Sequence, residues 1–259
     1  MAHNTPDGQI ESADTNIDRA SVVMHIPHAS THLPSLEGFV LDAILPNMAL
    51  QTDWATDAMF DVEGVKQIVT PFSRLFCDVE RLRDEDEPQF KSGRGFYYTL
   101  GFDGSLLRHE DANHKRHVHK EYYTAHHTLL DETVHSALAA TGKCCIIDCH
   151  SFNDQVVGTL CDTPHDPDFC IGTDGYHTPD ALRDYAVDFF KSRGYTVEID
   201  NPFSGCVIPM SVYQSNPNVT GLMIEVNKRL YMVDLRILRD QVGQLQRVMS
   251  DFVYGMPVI

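Results

Sequence analysis

Two rhythms of apolar residues run along the chain. Short dense runs at 21–26 (SVVMHI), 66–72 (KQIVTPF), 74–80 (RLFCDVE), 143–151 (KCCIIDCHS), 156–161 (VVGTLC), 196–200 (TVEID) and within 220–232 (TGLMIEVNKRLYM) read as strands. Between them lie stretches with helical periodicity. One covers 35–47 and is expected to stop near Pro46. Another covers 52–64 and opens on a Thr/Asp cap; the longest covers 110–140, and two more cover 178–195 and 234–255. Strands that alternate with helices predict a three-layer α/β/α sandwich around a mainly parallel mixed sheet. Residues 1–20 read as a flexible lead-in. No repeat or linker divides 21–259, which is expected to be one catalytic α/β domain. The segment 81–95 is charged and aperiodic, a long loop of the kind that often carries function. The stretches 168–175 (DFCIGTDG) and 201–205 (NPFSG) are rich in turn formers and read as loops.

Composition narrows the partners. The 259 residues include 37 acidic and 20 basic ones, a formal net charge of -17. That balance argues against nucleic acid and against an anionic membrane surface, both of which need a basic face. A small-molecule partner is expected, since a few arginines in a cleft can still set a positive local potential. Seven cysteines, with no CxxC pair, read as reduced thiols in a cytoplasmic protein. The polar N-terminus has no apolar segment of a secretory signal, and no apolar run approaches the roughly 18 residues of a membrane helix. The sequence carries no signature of oligomeric state.

In open α/β sheets, ligands sit beyond the C-terminal ends of the strands. The polar residues that end the apolar runs are His28, the Asp78/Arg81 pair, His150 and Glu225, with Asp53 at the start of a helix. Together they are the parts of a hydrolytic zinc site, which commonly takes three protein ligands and leaves a fourth position for water. Each has a plainer alternative. His150 can be the polar end of a strand, Asp53 a helix N-cap, and Glu225 half of a buried salt bridge, for instance to Arg229. In "MHIPHASTHLP" (24–34), His25 lies within the strand and reads as structural. His28 follows Pro27 at its end and is the ligand; His32 is a surface or supporting residue. The 110–140 helix is rich in histidine, and most of these read as a polar face. His127 is the one assigned to the substrate. Nucleophilic serine chemistry is disfavoured, because there is no GxSxG elbow and Ser151 points to the opposite strand face from His150. Cys149 has the same problem, and an apolar setting raises a thiol pKa.

The motifs taken together resemble the N-formylglutamate amidohydrolase family. They are "IPHASTHLP" (26–34), "TDWATDAMFD" (52–61), "SRLFCDVERL" (73–82), "IIDCHSF" (146–152), "DFCIGTDG" (168–175), "NPFSG" (201–205) and "MIEVNKRLYM" (223–232), in family order. The resemblance implies a zinc-exopeptidase-like fold, related to zinc carboxypeptidases. It also implies a metal-dependent hydrolase of the amide of an N-formyl or N-acyl amino acid. It implies His28, Asp53 and His150 as ligands of one divalent ion, zinc, and Glu225 as general base. Arg81 would polarise the scissile carbonyl, and Arg74 or Arg94 would clamp a substrate carboxylate. Two positions depart from the family pattern: "PHAS" stands for "PHSG", and Glu80-Arg81-Leu82 stands for Asn-Arg-Pro. A related hydrolase of another acyl group or a short peptide, and a non-catalytic binding protein of the same fold, are the alternatives.

Overall fold

The computed structural model describes residues 16–82, 90–153 and 167–258. The expected strand at 156–161, residues 1–15 of the lead-in and the acidic stretch after Leu82 lie outside the described residues. Six strands form one sheet: β1 Val22–Ile26, β2 Lys66–Val69, β3 Cys144–Phe152, β4 Phe169–Gly172, β5 Val197–Ile199 and β6 Val219–Asn227. Their order is β2-β1-β3-β6-β4-β5. All neighbours run parallel except β4 against β6. The helices are α1 Leu41–Gln51, α2 Thr56–Met59, α3 Ala112–Val118, α4 Thr124–Thr141, α5 Asp180–Ser192 and α6 Arg239–Tyr254.

The period-2 alternation of the strands builds the three layers. Val22, Met24 and Ile26 share one sheet face with Cys145, Ile147 and Cys149 and with Leu222, Ile224 and Val226. This face packs under α5 and α6 through Leu182, Phe190, Leu245 and Phe252. Each such side chain contributes roughly 1.5–3 kcal/mol by leaving water. On the other face Val23, Ile68, Cys144 and Ile146 meet Leu130, Val134 and Ala137 of α4. That second face turns polar toward the C-terminal ends of the strands, where the same alternation sets His25, Asp148, His150 and Glu225. The sheet register pairs His25 with Asp148 and His150 with Glu225.

Several elements differ from the sequence expectation. Helix α1 begins later than expected and runs through Pro46. The proline removes one intrahelical donor, and it lies with Asp42, four residues earlier, on the exposed face of the helix. The second helix shrinks to the single turn of α2, because Ala55 before it is left-handed (φ 60°). Residues 74–80 are not a strand. Leu75, Phe76, Cys77 and Val79 are buried in a satellite core, but Phe76 N–H and Cys77 N–H both donate to Ser73 O and fold the segment into turns. The buried Arg108 guanidinium takes the place of a neighbouring strand, donating to Phe76 O and Tyr98 O. Within 168–175, Phe169–Gly172 is strand β4, not loop. The long helix holds, with one π-helical turn, His119–Tyr123, between α3 and α4. The C-terminal helix starts at Arg239, after a small hairpin of β7 Met232–Val233 and β8 Arg236–Ile237.

Candidate active site

Three chain segments converge at the C-terminal edge of β1 and β3. His28 stands two residues beyond β1, and its carbonyl accepts Asp53 N–H at 3.0 Å, which ties the α1–α2 turn to the end of the strand. The Asp53 carboxylate therefore faces the histidines and not the helix; α2 is capped without it. His28 Nδ1 and His150 Nδ1 are 3.3 Å apart. Asp53 Oδ2 is 3.1 Å from His150 Nδ1 and 3.5 Å from His28 Nδ1. All three residues are buried. Donors about 2.0–2.1 Å from one tetrahedral zinc stand about 3.3 Å from each other. The triangle has the size of one face of such a tetrahedron.

The far side of each imidazole is also engaged. His28 Nε2–H donates to Asp78 Oδ1 at 2.9 Å. His150 Nε2 lies 2.9 Å from Glu80 Oε2 and 3.2 Å from Asp148 Oδ1. Carboxylates on Nε2 fix the proton there and leave Nδ1 as the lone-pair donor, the arrangement in which metal-binding histidines are usually held.

Glu225 comes from β6, beside His150 in register. It is buried, and its Oε2 has no hydrogen-bond partner among the described residues. The salt bridge to Arg229 does not form; Arg229 Nη2 pairs with Asp168 Oδ1 at 2.8 Å. Burial raises the Glu225 carboxyl to about 8, against the opposing pull of His150.

A family model for N-formylglutamate amidohydrolases matches residues 20–232. The chain belongs to the N-formylglutamate amidohydrolase family. The crystal structure of N-formylglutamate amidohydrolase from Ralstonia eutropha JMP134 is similar with TM-score 0.79 and 22% identity, covering 90% of this chain and 91% of that one. A gene product of Agrobacterium tumefaciens is similar with TM-score 0.64 and 18% identity, covering 91% of this chain and 92% of that one. No curated protein matches the sequence at a significant level.

Within this family member, cationic residues flank the histidines. Arg74 donates Nε and Nη2 to Asp78 Oδ2 at 3.1 and 2.8 Å, so one edge of its guanidinium orients Asp78. Asp78 also accepts Tyr98 O–H at 2.6 Å. Burial alone would raise the Asp78 carboxyl, but Arg74, His28 and Arg81 hold it well below the usual range. Arg81 is about a third exposed, with Nε 3.6 Å from Asp78 Oδ2. Arg94 is half-buried, with Cζ 5.5 Å from the Phe102 ring centroid. Burial depresses its pKa, and the charges of Arg81 and Arg74 add to the effect. His127 donates Nε2–H to Val79 O at 2.8 Å, and Tyr123 O–H donates to Arg81 O at 2.9 Å. The helix thus grips the 79–81 backbone next to the histidines. His32 is exposed, but the polar-face reading holds only for His109, His117 and His135. His114 and His126 are buried and His119 and His127 half-buried, because this helix packs against the satellite core and the 79–81 backbone.

Some participants escaped the sequence reading. Asp148 accepts from His25 Nδ1–H at 2.9 Å as well as facing His150. It lies two residues before His150, so strand alternation alone puts it on the same face. His25 is buried as expected, yet it is an ionic residue. Burial would lower its pKa, but Asp148 and Glu80 raise it to about 9. Its Nε2 lies 2.8 Å from His126 Nε2, and His126 Nδ1 lies 3.3 Å from Thr70 Oγ1. Glu80 was legible only as a departure from the family pattern, and Lys228, just beyond β6, left no periodic signal. Lys228 Nζ sits 3.9 Å from Asp53 Oδ1.

Proposed function

We propose that the chain is a metal-dependent amidohydrolase that cleaves the amide of an N-formyl or N-acyl amino acid, with N-formylglutamate the first substrate to test. The observation that carries the reading is the triangle of His28 Nδ1, His150 Nδ1 and Asp53 Oδ2, 3.1–3.5 Å on a side, beside Glu225, whose Oε2 has no hydrogen-bond partner among the described residues. Two imidazoles and a carboxylate are a borderline donor set that suits zinc. These three residues would hold one zinc ion, which when bound polarises a carbonyl and lowers the pKa of water to about 7.

The chain's own residues do the rest. Glu225 takes a proton from the attacking water and returns it to the leaving amine. A carboxyl raised toward neutrality is suited to both transfers. Arg81 stabilises the oxyanion that forms on the carbonyl. Arg74 and Arg94 give a substrate carboxylate a cationic wall, where a planar guanidinium suits two parallel hydrogen bonds. His127 steadies the backbone that carries Arg81. A cytoplasmic location fits this chemistry and the free thiols; among the described residues no helix is long and apolar enough to cross a membrane.

One observation favours a second substrate. Glu80, where the family has asparagine, adds a carboxylate 2.9 Å from His150 Nε2, and this extra negative charge at the histidines favours a neutral N-acyl amino acid or short peptide. The test is a panel of N-formyl and N-acetyl amino acids assayed with wild type and Glu225→Gln. The variant should lose about 10²- to 10⁴-fold in kcat while keeping its metal. Hydrolysis by Glu225→Gln at the wild-type rate would overturn the mechanism.

A further inference from the structure

A cavity of about 610 Å³ is lined among others by Leu50, Trp54, Asn153, Lys228, Met232 and Leu235, and Lys228 links it to the histidine–aspartate triangle. Its walls combine apolar residues with the charged Lys228, Arg229 and Asp234. Lys228 is buried, yet it lines this space. Its Nζ stands 3.9 Å from Asp53 Oδ1, beyond hydrogen-bond reach, on the opposite carboxylate oxygen from the one that faces the histidines.

The backbone around Lys228 is fixed. Asn227 Oδ1 accepts Arg229 N–H at 3.1 Å and caps the 3₁₀ turn Lys228–Leu230. Asn227 Nδ2 donates to Pro167 O at 3.1 Å. The neighbouring cation, Arg229, lines the same cavity and is bonded to Asp168 at 2.8 Å. Lys228 is thus a pre-positioned ammonium in the wall of a cavity, one ion-pair length from Asp53.

We propose that Lys228 recognises the α-carboxylate of the N-acyl amino acid, and so restricts the enzyme to substrates with a free α-carboxylate. In any N-acyl amino acid only the nitrogen and the α-carbon separate the amide carbon from that carboxylate. The group that binds it must therefore stand beside the reacting centre, as Lys228 does. The arginine wall on the other flank is left for the side chain. The proposal rests on the amidohydrolase reading above.

The test compares N-formyl-L-glutamate with its α-carboxamide, on wild type, Lys228→Met and Lys228→Arg. Trp54 is the chain's single tryptophan and lines the same cavity. Its fluorescence change on rapid mixing reports binding independently of turnover. Lys228→Met should weaken acid binding and raise the KM for the acid by about 10- to 100-fold, the worth of a charged hydrogen bond. The loss for the carboxamide should be at least tenfold smaller, and Lys228→Arg should recover part of the acid preference. Equal losses for acid and amide would mean that Lys228 only balances Asp53 and Glu225, and would overturn the proposal. A wild type that does not discriminate acid from amide would overturn it too. If Lys228→Met does not fold, Lys228→Gln is read in the same way. Acid-selective binding that depends on Lys228, without hydrolysis of either compound, would sink the amidohydrolase reading and leave the recognition role standing. Hydrolysis with unchanged selectivity in the variant would do the reverse.

Discussion

The two ring nitrogens of His150 carry different loads. Nδ1 faces Asp53 and His28, while Nε2 faces Glu80 and Asp148. Burial pulls its pKa down, but Glu80, Asp148 and Asp53 outweigh it and hold the ring well above its ordinary value. A cation at the triangle would take over that balancing charge. His28 is held in place by Asp78, which accepts its Nε2–H at 2.9 Å. Asp78→Asn keeps the shape and loses the anion, so zinc affinity should fall about 10- to 100-fold; competition against a chelating dye measures it. His25 gives a pH test of the metal-free protein. Its folded pKa of about 9 lies above the ordinary 6.5. The stability it contributes is present in full below pH 6.5 and is lost as pH rises through 9. That contribution amounts to roughly 3 kcal/mol. Urea unfolding from pH 6 to 10 should therefore be flatter in His25→Gln than in wild type; parallel curves would show that the buried ion pair does not form. His28 and His150 were legible as strand-terminal residues. The charge on His25 was not, because its partner Asp148 comes from a strand 123 residues away.

Elements, not single side chains, decide how firmly the site is held. Strand β3 offers two polar residues, Asp148 and His150, at the end of an otherwise apolar face, and its partners β1 and β6 add His25 and Glu225 in register. Alternation made this face legible in the sequence. The 74–80 segment was not legible, because its apolar density matches a strand while its hydrogen bonds are those of turns. What holds it is the Arg108 guanidinium, with Cζ 3.3 Å from the Tyr97 ring centroid and bonds to two carbonyls. Arg108→Met should leave both carbonyls unpaired and cost about 2–5 kcal/mol. Denaturant titration measures the loss. The same variant should loosen Asp78, which follows Phe76 by two residues, and so weaken metal binding. A variant as stable as wild type would mean that the segment is held by its apolar packing alone. At the sheet's other end, β4 was hidden among turn formers. Gly172 fits there because an added Cβ would come within 2.5 Å of Gly205 O. Gly172→Ala should cost about 1–3 kcal/mol by overpacking, read as a lower melting temperature.

For the whole molecule, alternating strands and helices were enough to read a mainly parallel three-layer fold, and the sheet order then explains where the chemistry collects. Neighbouring strands β1, β3 and β6 bring their C-terminal ends together, and each supplies polar residues far apart in sequence, His25 and Asp148 by 123 positions and His150 and Glu225 by 75. The chain concentrates Arg74, Arg81, Arg94 and Lys228 around this edge although its net charge is -17. Net charge identified which partners to discard but not this local reversal, which depends on folding. The central claim is that His28, Asp53 and His150 hold one metal ion on which activity depends. Elemental analysis of the protein purified without chelators, with His28→Ala and His150→Ala beside it, tests the claim most directly. The account predicts about one equivalent of zinc per wild-type chain, lost in both variants together with amidase activity. Active wild-type protein free of metal, or variants that keep a full equivalent, would contradict it.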